Sequence, residues 1–290
     1  MADPIEPRPV RPRRSVLFMP GANTRALQKA RELPADGLIF DLEDAVAPDT
    51  KEAARANVAT ALRQGGYGRR ELVLRVNPLD SAWGEADLVA AAELPLDAVL
   101  LPKVENAEQV RESAARLSSR RPIWCMIETP RGVLAAADIA AAPGVAALLM
   151  GTSDLTKDLR ARDMPDRLPL LTSLQLVLLA ARAHGLPALD GVHLDLADDA
   201  GFTAACAQGR ALGFDGKTLI HPKQIALANA AFAPVPGEVE QARKIIAAHR
   251  AALAAGKGIV VVEGRLIENL HVEAARRTVA LAEVISGLAT

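Results

Sequence analysis

Ile123-Trp124-Cys125-Met126-Ile127-Glu128-Thr129 and, further on, Val145-Ala146-Ala147-Leu148-Leu149-Met150-Gly151-Thr152-Ser153-Asp154 share one pattern. An apolar run without a single charged position is followed at once by a carboxylate or a turn that leads to one. A half-exposed strand alternates apolar and polar residues. A run with no alternation is buried on both faces, as parallel strands are. Earlier runs of the same kind are Ser15–Met19, Gly37–Phe40, Leu72–Val76 and Ala98–Leu101, and later ones are Leu189–Leu194 and Lys217–Ile220. Helical segments separate them. Asp49-Thr50-Lys51-Glu52 reads as a capping box opening a helix to Arg63, and Asn106-Ala107-Glu108 opens another that ends near Ser119. Gly185 closes a helix over Thr172–His184, and Gly213 closes one over Phe202–Leu212. Eight strands alternating with helices predict a TIM (β/α)8 barrel, and 290 residues accommodate the roughly 250 such a barrel needs. A doubly wound open sheet is the alternative, but no Gly-rich fingerprint follows the first strand.

The pattern changes after about residue 233. Pro234 and Pro236 break the chain, and a helix follows over Glu238–Ala255 with a turn at Gly256-Lys257-Gly258. Two short strands, Ile259–Val262 and Arg265–Ile267, are joined through Glu263-Gly264, and a last helix begins near Val272. The expected organisation is a barrel over residues 13–233 and a C-terminal extension over 234–290 that either packs on its own barrel or covers a neighbouring subunit's site.

Half of the residues are apolar, which allows a large core and excludes a disordered chain. Aromatics make up only 3%, so Ala, Leu, Val and Ile must fill that core. A net charge of −1 gives no reason to expect a nucleic acid partner. Arg8, Arg11, Arg13 and Arg14 are a local exception, either a solvated arm or a clamp for a phosphorylated ligand. Cys125 and Cys206 make neither a disulfide framework nor a zinc cluster, and Cys125 reads as an inert core thiol. The start of the chain lacks an apolar segment of signal-peptide type, and no run approaches the roughly 18 apolar residues of a bilayer span. A cytoplasmic protein with no membrane partner is expected.

In such barrels the chemistry sits at the C-terminal ends of the strands. Those ends read Pro20-Gly21, Asp41-Leu42-Glu43-Asp44, Arg75-Val76-Asn77, Pro102-Lys103-Val104-Glu105, Glu128-Thr129, Gly151-Thr152-Ser153-Asp154, His193-Leu194-Asp195 and His221-Pro222. Carboxylates that follow buried strands this closely are costly unless paired or bound to a metal. Oxygen donors without clustered His or Cys suit Mg²⁺ or Mn²⁺ rather than zinc. Glu128 and Asp154 follow neighbouring strands and can converge on one ion, while Arg75 offers a planar fork for a substrate carboxylate. The bland reading of each is a structural ion pair in the barrel mouth.

The motifs Arg14–Gly21, Asp41–Val46, Leu74–Asn77, Leu101–Glu105, Ile127–Thr129, Gly151–Leu155 and Gly216–Pro222 together resemble the citrate lyase β-subunit-like (HpcH/HpaI aldolase) family, which includes malyl-CoA, methylmalyl-CoA and citramalyl-CoA lyases. The resemblance runs from about residue 13 to the end of the chain. It implies a barrel of the pyruvate/phosphoenolpyruvate superfamily assembled as a homotrimer or hexamer, Mg²⁺ held by Glu128 and Asp154, and a carboxylate-binding Arg75. Glu43 and Asp44 would hold metal-bound waters. Many members carry an Asp in the C-terminal hairpin that acts in proton transfer at a neighbour's site; here Glu268 stands in that place, with a longer arm. Arg13, Arg14 and Lys103 join Arg75 as candidate contacts to the substrate and its CoA phosphates.

The expected activity is a carbon–carbon lyase cleaving or forming a 3-hydroxyacyl-CoA such as malyl-CoA or citramalyl-CoA, with acetyl- or propionyl-CoA and glyoxylate or pyruvate as the fragments. A thioester hydrolase of the same substrate is the second reading. A non-catalytic ligand-binding subunit is the third, which the set Arg75, Glu128 and Asp154 speaks against. A small-molecule pyruvate aldolase fits the barrel but leaves the basic start and the long tail unexplained.

Overall fold

The computed structural model describes residues 10–117, 121–256 and 259–288. Parallel strands close into a barrel in sequence order: β1 (Ser15–Pro20), β2 (Gly37–Asp41), β3 (Glu71–Arg75), β4 (Ala98–Leu101), β5 (Ile123–Ile127), β6 (Val145–Met150), β7 (Ala188–Asp190) and β8 (Gly216–Leu219). Strand β1 pairs with β2 on one side and with β8 on the other, which closes the ring. The chain therefore folds as the TIM-type α/β barrel that the repeated apolar runs predict.

Successive side chains of a strand point to opposite faces, and the barrel sorts them accordingly. Val16, Ile39, Val73, Leu100, Trp124, Met126, Ala147, Leu149 and Leu189 turn inward and form a core of their own. Leu17, Leu38, Phe40, Leu74, Val99, Cys125 and Leu148 turn outward and join helix residues such as Val58, Leu88, Val110, Ile139, Leu174 and Phe202. Each fully buried aliphatic side chain contributes roughly 1.5–3 kcal/mol, and these positions are almost all apolar. The same period of two sets up the site. Two residues beyond the inward Ile39, Val73 and Met126, on the same face, stand Asp41, Arg75 and Glu128.

Three expectations are revised. The run Leu189–Leu194 is only a short strand: β7 stops at Asp190, which turns a fully buried carboxylate to Arg167 (2.7 Å) and Lys217 (2.9 Å), and Leu194 is exposed. The cap expected at Asp49, three before Glu52, falls inside the short turn Pro48–Thr50; Thr50 precedes helix Lys51–Gln64 instead and makes no capping bond, its hydroxyl donating back to the Ala47 carbonyl. Helix Ala107–Arg116 ends before Ser119, which lies outside the described residues, as do Arg8, Lys257 and Gly258.

The described residues divide into two compact units, one within residues 13–232 that holds the barrel and one made of residues 10–12, 233–256 and 259–288. In the second unit, helices Pro236–Ala254 and Asn269–Leu288 flank an antiparallel pair, β9 (Val260–Val262) and β10 (Arg265–Ile267). Glu263 and Gly264 make its two-residue turn with φ of 47° and 78°, the geometry that suits a tight hairpin. Val262, Ile267 and Val272 pack with Ile245 and Ala248. Among the described residues no helix is long and apolar enough to cross a membrane.

Candidate active site

Arg75 is the centre of the barrel mouth. Asp41 stands beside it in register on β2, and the Arg75 Nε and Nη2 donate to the two Asp41 carboxylate oxygens at 2.7 and 2.6 Å. The Asp41 carboxylate also accepts from the backbone N–H groups of Glu43 (2.9 Å) and Ala45 (3.2 Å), so it folds the loop after β2 back over the guanidinium. That loop brings Glu43 to 2.8 Å and Asp44 to 3.6 Å from Arg75 Nη1. The Phe18 ring lies 4.9 Å beneath the guanidinium. Although burial works against the charge, these carboxylates raise the Arg75 pKa further above its ordinary value. The planar fork expected to grip a ligand is thus engaged on both sides, Nε and Nη2 by Asp41 and Nη1 by Glu43.

Lys103 ties the other strands to this group. Its backbone has φ of 48°, a left-handed conformation that costs a non-glycine residue on the order of 1 kcal/mol. In that conformation its N–H donates to Glu128 Oε1 at 2.7 Å. Its Nζ donates to Glu43 at 2.7 Å and lies 3.7 Å from Asp44 and 3.8 Å from Asp154. Glu128, Asp154, Glu43 and Asp44 therefore all meet at one lysine.

Glu128 is 3% exposed, and burial pushes its carboxyl up to about 7, against the pull of Lys103 and Arg75. Burial likewise raises Glu43. Asp44 opposes its own partial burial: hydrogen bonding with Glu43 and the nearby charges of Arg75 and Lys103 hold it below the usual range. Gly151, just after β6, lets β6 pass this close to Glu128. A Cβ there would stand 2.3 Å from the Glu128 Cβ and 2.5 Å from Oε2. Asp154 follows in the first turn of helix Thr152–Asp158. Cavities of about 510 Å³, bounded by Asn77, Lys103 and Glu105, and about 550 Å³, bounded by Thr152, Ser153 and His193, open beside the cluster.

Asp41, Glu43, Asp44, Glu128 and Asp154 surround the two cations Arg75 and Lys103. Burial raises the proton affinity of Glu128 although Lys103 and Arg75 both act on it. Among the described residues no three His, Cys, Asp or Glu form a complete metal cage. Two carboxylates with excess negative charge, leaving positions for water and a ligand, is the donor set that suits Mg²⁺.

The site brings together Arg75, Glu43, Asp44, Lys103, Glu128 and Asp154 of the residues singled out in the sequence. Arg13 and Arg14, expected to contact CoA phosphates, lie elsewhere in the barrel. They precede β1 and so sit at the N-terminal end of the barrel, away from the strand ends that carry Arg75 and Glu128. Each is engaged there in a two-point ion pair, Arg13 with Glu71 (2.6 and 2.7 Å) and Arg14 with Asp36 (2.8 and 2.7 Å). Glu268 belongs to the other compact unit, where its N–H donates to the His271 ring at 3.0 Å. Sequence reasoning missed Asp41 as a partner, although Ile39-x-Asp41 and Val73-x-Arg75 have the same inward parity. It also missed Lys51 and Asn77 behind the Glu43 loop.

The description "HpcH/HpaI aldolase/citrate lyase" matches residues 14–222. A (3S)-malyl-CoA thioesterase of Cereibacter sphaeroides is 52% identical over 275 residues, 95% of this chain and 96% of that protein. The citrate lyase subunit beta of Escherichia coli is 37% identical over 295 residues, covering 98% of this chain and 97% of that one. Among solved structures, protein CitE from Mycobacterium tuberculosis in complex with magnesium, acetoacetate and coenzyme A superposes with a TM-score of 0.77 at 34% identity, covering 93% of this chain and 97% of that chain.

Proposed function

We propose that this chain, which belongs to the HpcH/HpaI aldolase/citrate lyase family, is a Mg²⁺-dependent enzyme that hydrolyses the CoA thioester of a 2-hydroxy acid of malyl-CoA type. The observation that carries the metal-dependent part is the buried Glu128 carboxyl, raised to about 7 and set beside Asp154 and Lys103. The choice of hydrolysis rests on the thioesterase of Cereibacter sphaeroides, similar over almost the whole of both chains.

In this reading Glu128 and Asp154 hold the cation. When bound, Mg²⁺ supplies a template and Lewis acid for the hydroxy-acid end of the substrate. Arg75 Nη1, paired with Glu43 at 2.8 Å before substrate arrives, turns to the substrate carboxylate, and Asp41 fixes the guanidinium from the other side. Asp44, with its side chain 59% exposed and held ionised, orients the attacking water. Glu43, whose proton affinity burial raises, takes the proton as the carbon–oxygen bond forms. The carbon–sulfur bond then breaks, and CoA leaves as a thiolate that solvent protonates. Lys103 supplies positive charge beside the developing oxyanion.

The citrate lyase subunit beta of Escherichia coli supports a second reading, cleavage of the carbon–carbon bond. There the hydroxyl proton is lost, a 2-oxo acid departs, and the enolate of the shorter acyl-CoA must be protonated. Glu268, contributed by a neighbouring subunit of a homotrimer or hexamer, is the acid in that reading. One experiment separates the two: incubate the protein with malyl-CoA and Mg²⁺ and follow free thiol and 2-oxo acid independently. Thiol without oxo acid is expected. Oxo acid without thiol replaces hydrolysis by the lyase reading, and neither product refutes both.

A further inference from the structure

Behind the loop that carries Glu43 and Asp44 lies a cation that contacts neither carboxylate. Lys51 is 6% exposed and opens helix Lys51–Gln64. Its Nζ donates to the Leu42 carbonyl at 2.9 Å, the Glu43 carbonyl at 2.9 Å and Asn77 Oδ1 at 2.6 Å. Those three acceptors use all the hydrogens of the ammonium. The Trp83 ring lies 5.1 Å from it, and no ion pair of Lys51 is present among the described residues.

Such a placement is unfavourable twice over. A buried ammonium that pairs directly with no carboxylate, its charge reaching Asp44 only across the loop, costs free energy that an apolar side chain would not. A positive charge at the first turn of a helix also opposes the helix dipole. Stability alone would select a different residue here.

We propose that Lys51 is a positioning residue, a rear clamp that fixes the loop Leu42–Asp44 so that Glu43 and Asp44 face Arg75 and Lys103. The proposal rests on the reading of those carboxylates as part of a Mg²⁺-dependent site. The front of the loop is held by Asp41, which accepts from the Glu43 and Ala45 N–H groups. Lys51 holds the back by the carbonyls of the same turn, and the Glu43 carbonyl it grips also accepts from Val46 N–H at 3.1 Å. The third anchor is itself braced. Asn77 Nδ2 donates to the Leu42 carbonyl at 2.9 Å and to Asp87 at 2.6 Å, and its N–H donates to Asp87 at 3.0 Å. Asp87 is fully buried and accepts from Arg55 Nε at 2.6 Å. Lys51 thereby couples the acidic loop to the end of β3 and to two helices outside the barrel, Lys51–Gln64 and Gly84–Glu93.

The test is Lys51→Met, which keeps the length and apolar stem but loses the three hydrogen bonds; Lys51→Gln serves if the first variant does not fold. Hydrogen exchange should show the amides of residues 43–46 exchanging at least about tenfold faster than in the parent, with those of β5 and β6 unchanged. Mg²⁺ affinity measured by calorimetry should fall about 10–100-fold, the usual cost of losing a group that orients a metal site from behind. Exchange that is unchanged in the loop, or accelerated everywhere alike, overturns the proposal in favour of a purely structural lysine. Local loosening with Mg²⁺ affinity retained overturns it as well. A parent that neither binds Mg²⁺ nor cleaves malyl-CoA defeats the functional reading instead; the loop exchange then still decides whether Lys51 is the clamp.

Discussion

If Glu128 holds the cation, metal affinity must follow the ionisation of a carboxyl raised to about 7. Binding requires the charged form, so each Mg²⁺ that enters a protonated site expels a proton. At about pH 5.5 only roughly one Glu128 in 30 is ionised, whereas at about pH 8 nearly all are. Affinity should therefore fall roughly 30-fold between the two, or about 2 kcal/mol, where an unshifted glutamate would change it by little more than about 10%. Glu43 is raised in the same direction and can only steepen the dependence. Calorimetry in two buffers of different ionisation heat would count the proton, which should approach about one per ion near pH 6. Stability gives an independent sign. A carboxyl whose folded pKa lies above its unfolded value favours the folded state below about pH 4.5 and loses that contribution as pH rises through about 7. The metal-free protein should lose up to about 3 kcal/mol from this group between those limits, so added Mg²⁺ should raise Tm more at pH 8 than at pH 5.5. In Glu128→Gln both the pH dependence and the affinity should disappear. An affinity constant within twofold across the range, with no proton released, would refute the assignment of Glu128.

Gly151→Ala places a methyl within 2.5 Å of Glu128 Oε2; stability should drop by about 1–3 kcal/mol and Mg²⁺ affinity at least about tenfold with the circular dichroism unchanged, and parent-like affinity would show that β5 and β6 can part without cost. In the lyase reading Arg75→Ala and Glu268→Ala should each be nearly inactive alone and regain part of the activity when mixed under subunit exchange; a fully active Glu268→Ala, or silence after confirmed exchange, removes Glu268 from a neighbour's site.

The strands were legible wherever burial on both faces removed every polar residue. Ala98–Leu101, Ile123–Ile127 and Val145–Met150 have the bounds their composition predicts. Leu189–Leu194 misled because Val192 and Leu194 continue the apolar pattern, while pairing with β6 involves only Ala188 and Leu189. Which carboxylates and cations converge was legible from the strand ends. What each cation grips was not, because an isolated Arg75 suits a ligand carboxylate as well as it suits Asp41. The deciding information is register: Asp41 and Arg75 are direct neighbours across β2 and β3, a relation that parity implies and pattern alone does not name. Arg13 and Arg14 could have been placed from connectivity, since residues before the first strand of a parallel barrel belong to its N-terminal end.

Lys51 shows where a local rule and a tertiary demand compete. Read locally, Asp49-Thr50-Lys51-Glu52 is a helix start, and the helix does begin there. The capping bond is absent, the Thr50 hydroxyl turning to the Ala47 carbonyl, and the turn is held from the other side by an ammonium that reaches back to Leu42, Glu43 and Asn77. A lysine at the first helical position, set against the dipole, was the anomaly visible in the sequence. The same logic covers Lys103, a non-glycine residue at positive φ, and Glu128, a buried carboxyl raised to about 7. Each carries a local cost that its own packing does not offset, and all three surround Glu43 and Asp44 or touch what those residues touch. Local rules fail together at this barrel mouth, and the strain converges on the carboxylates assigned to the cation and the attacking water.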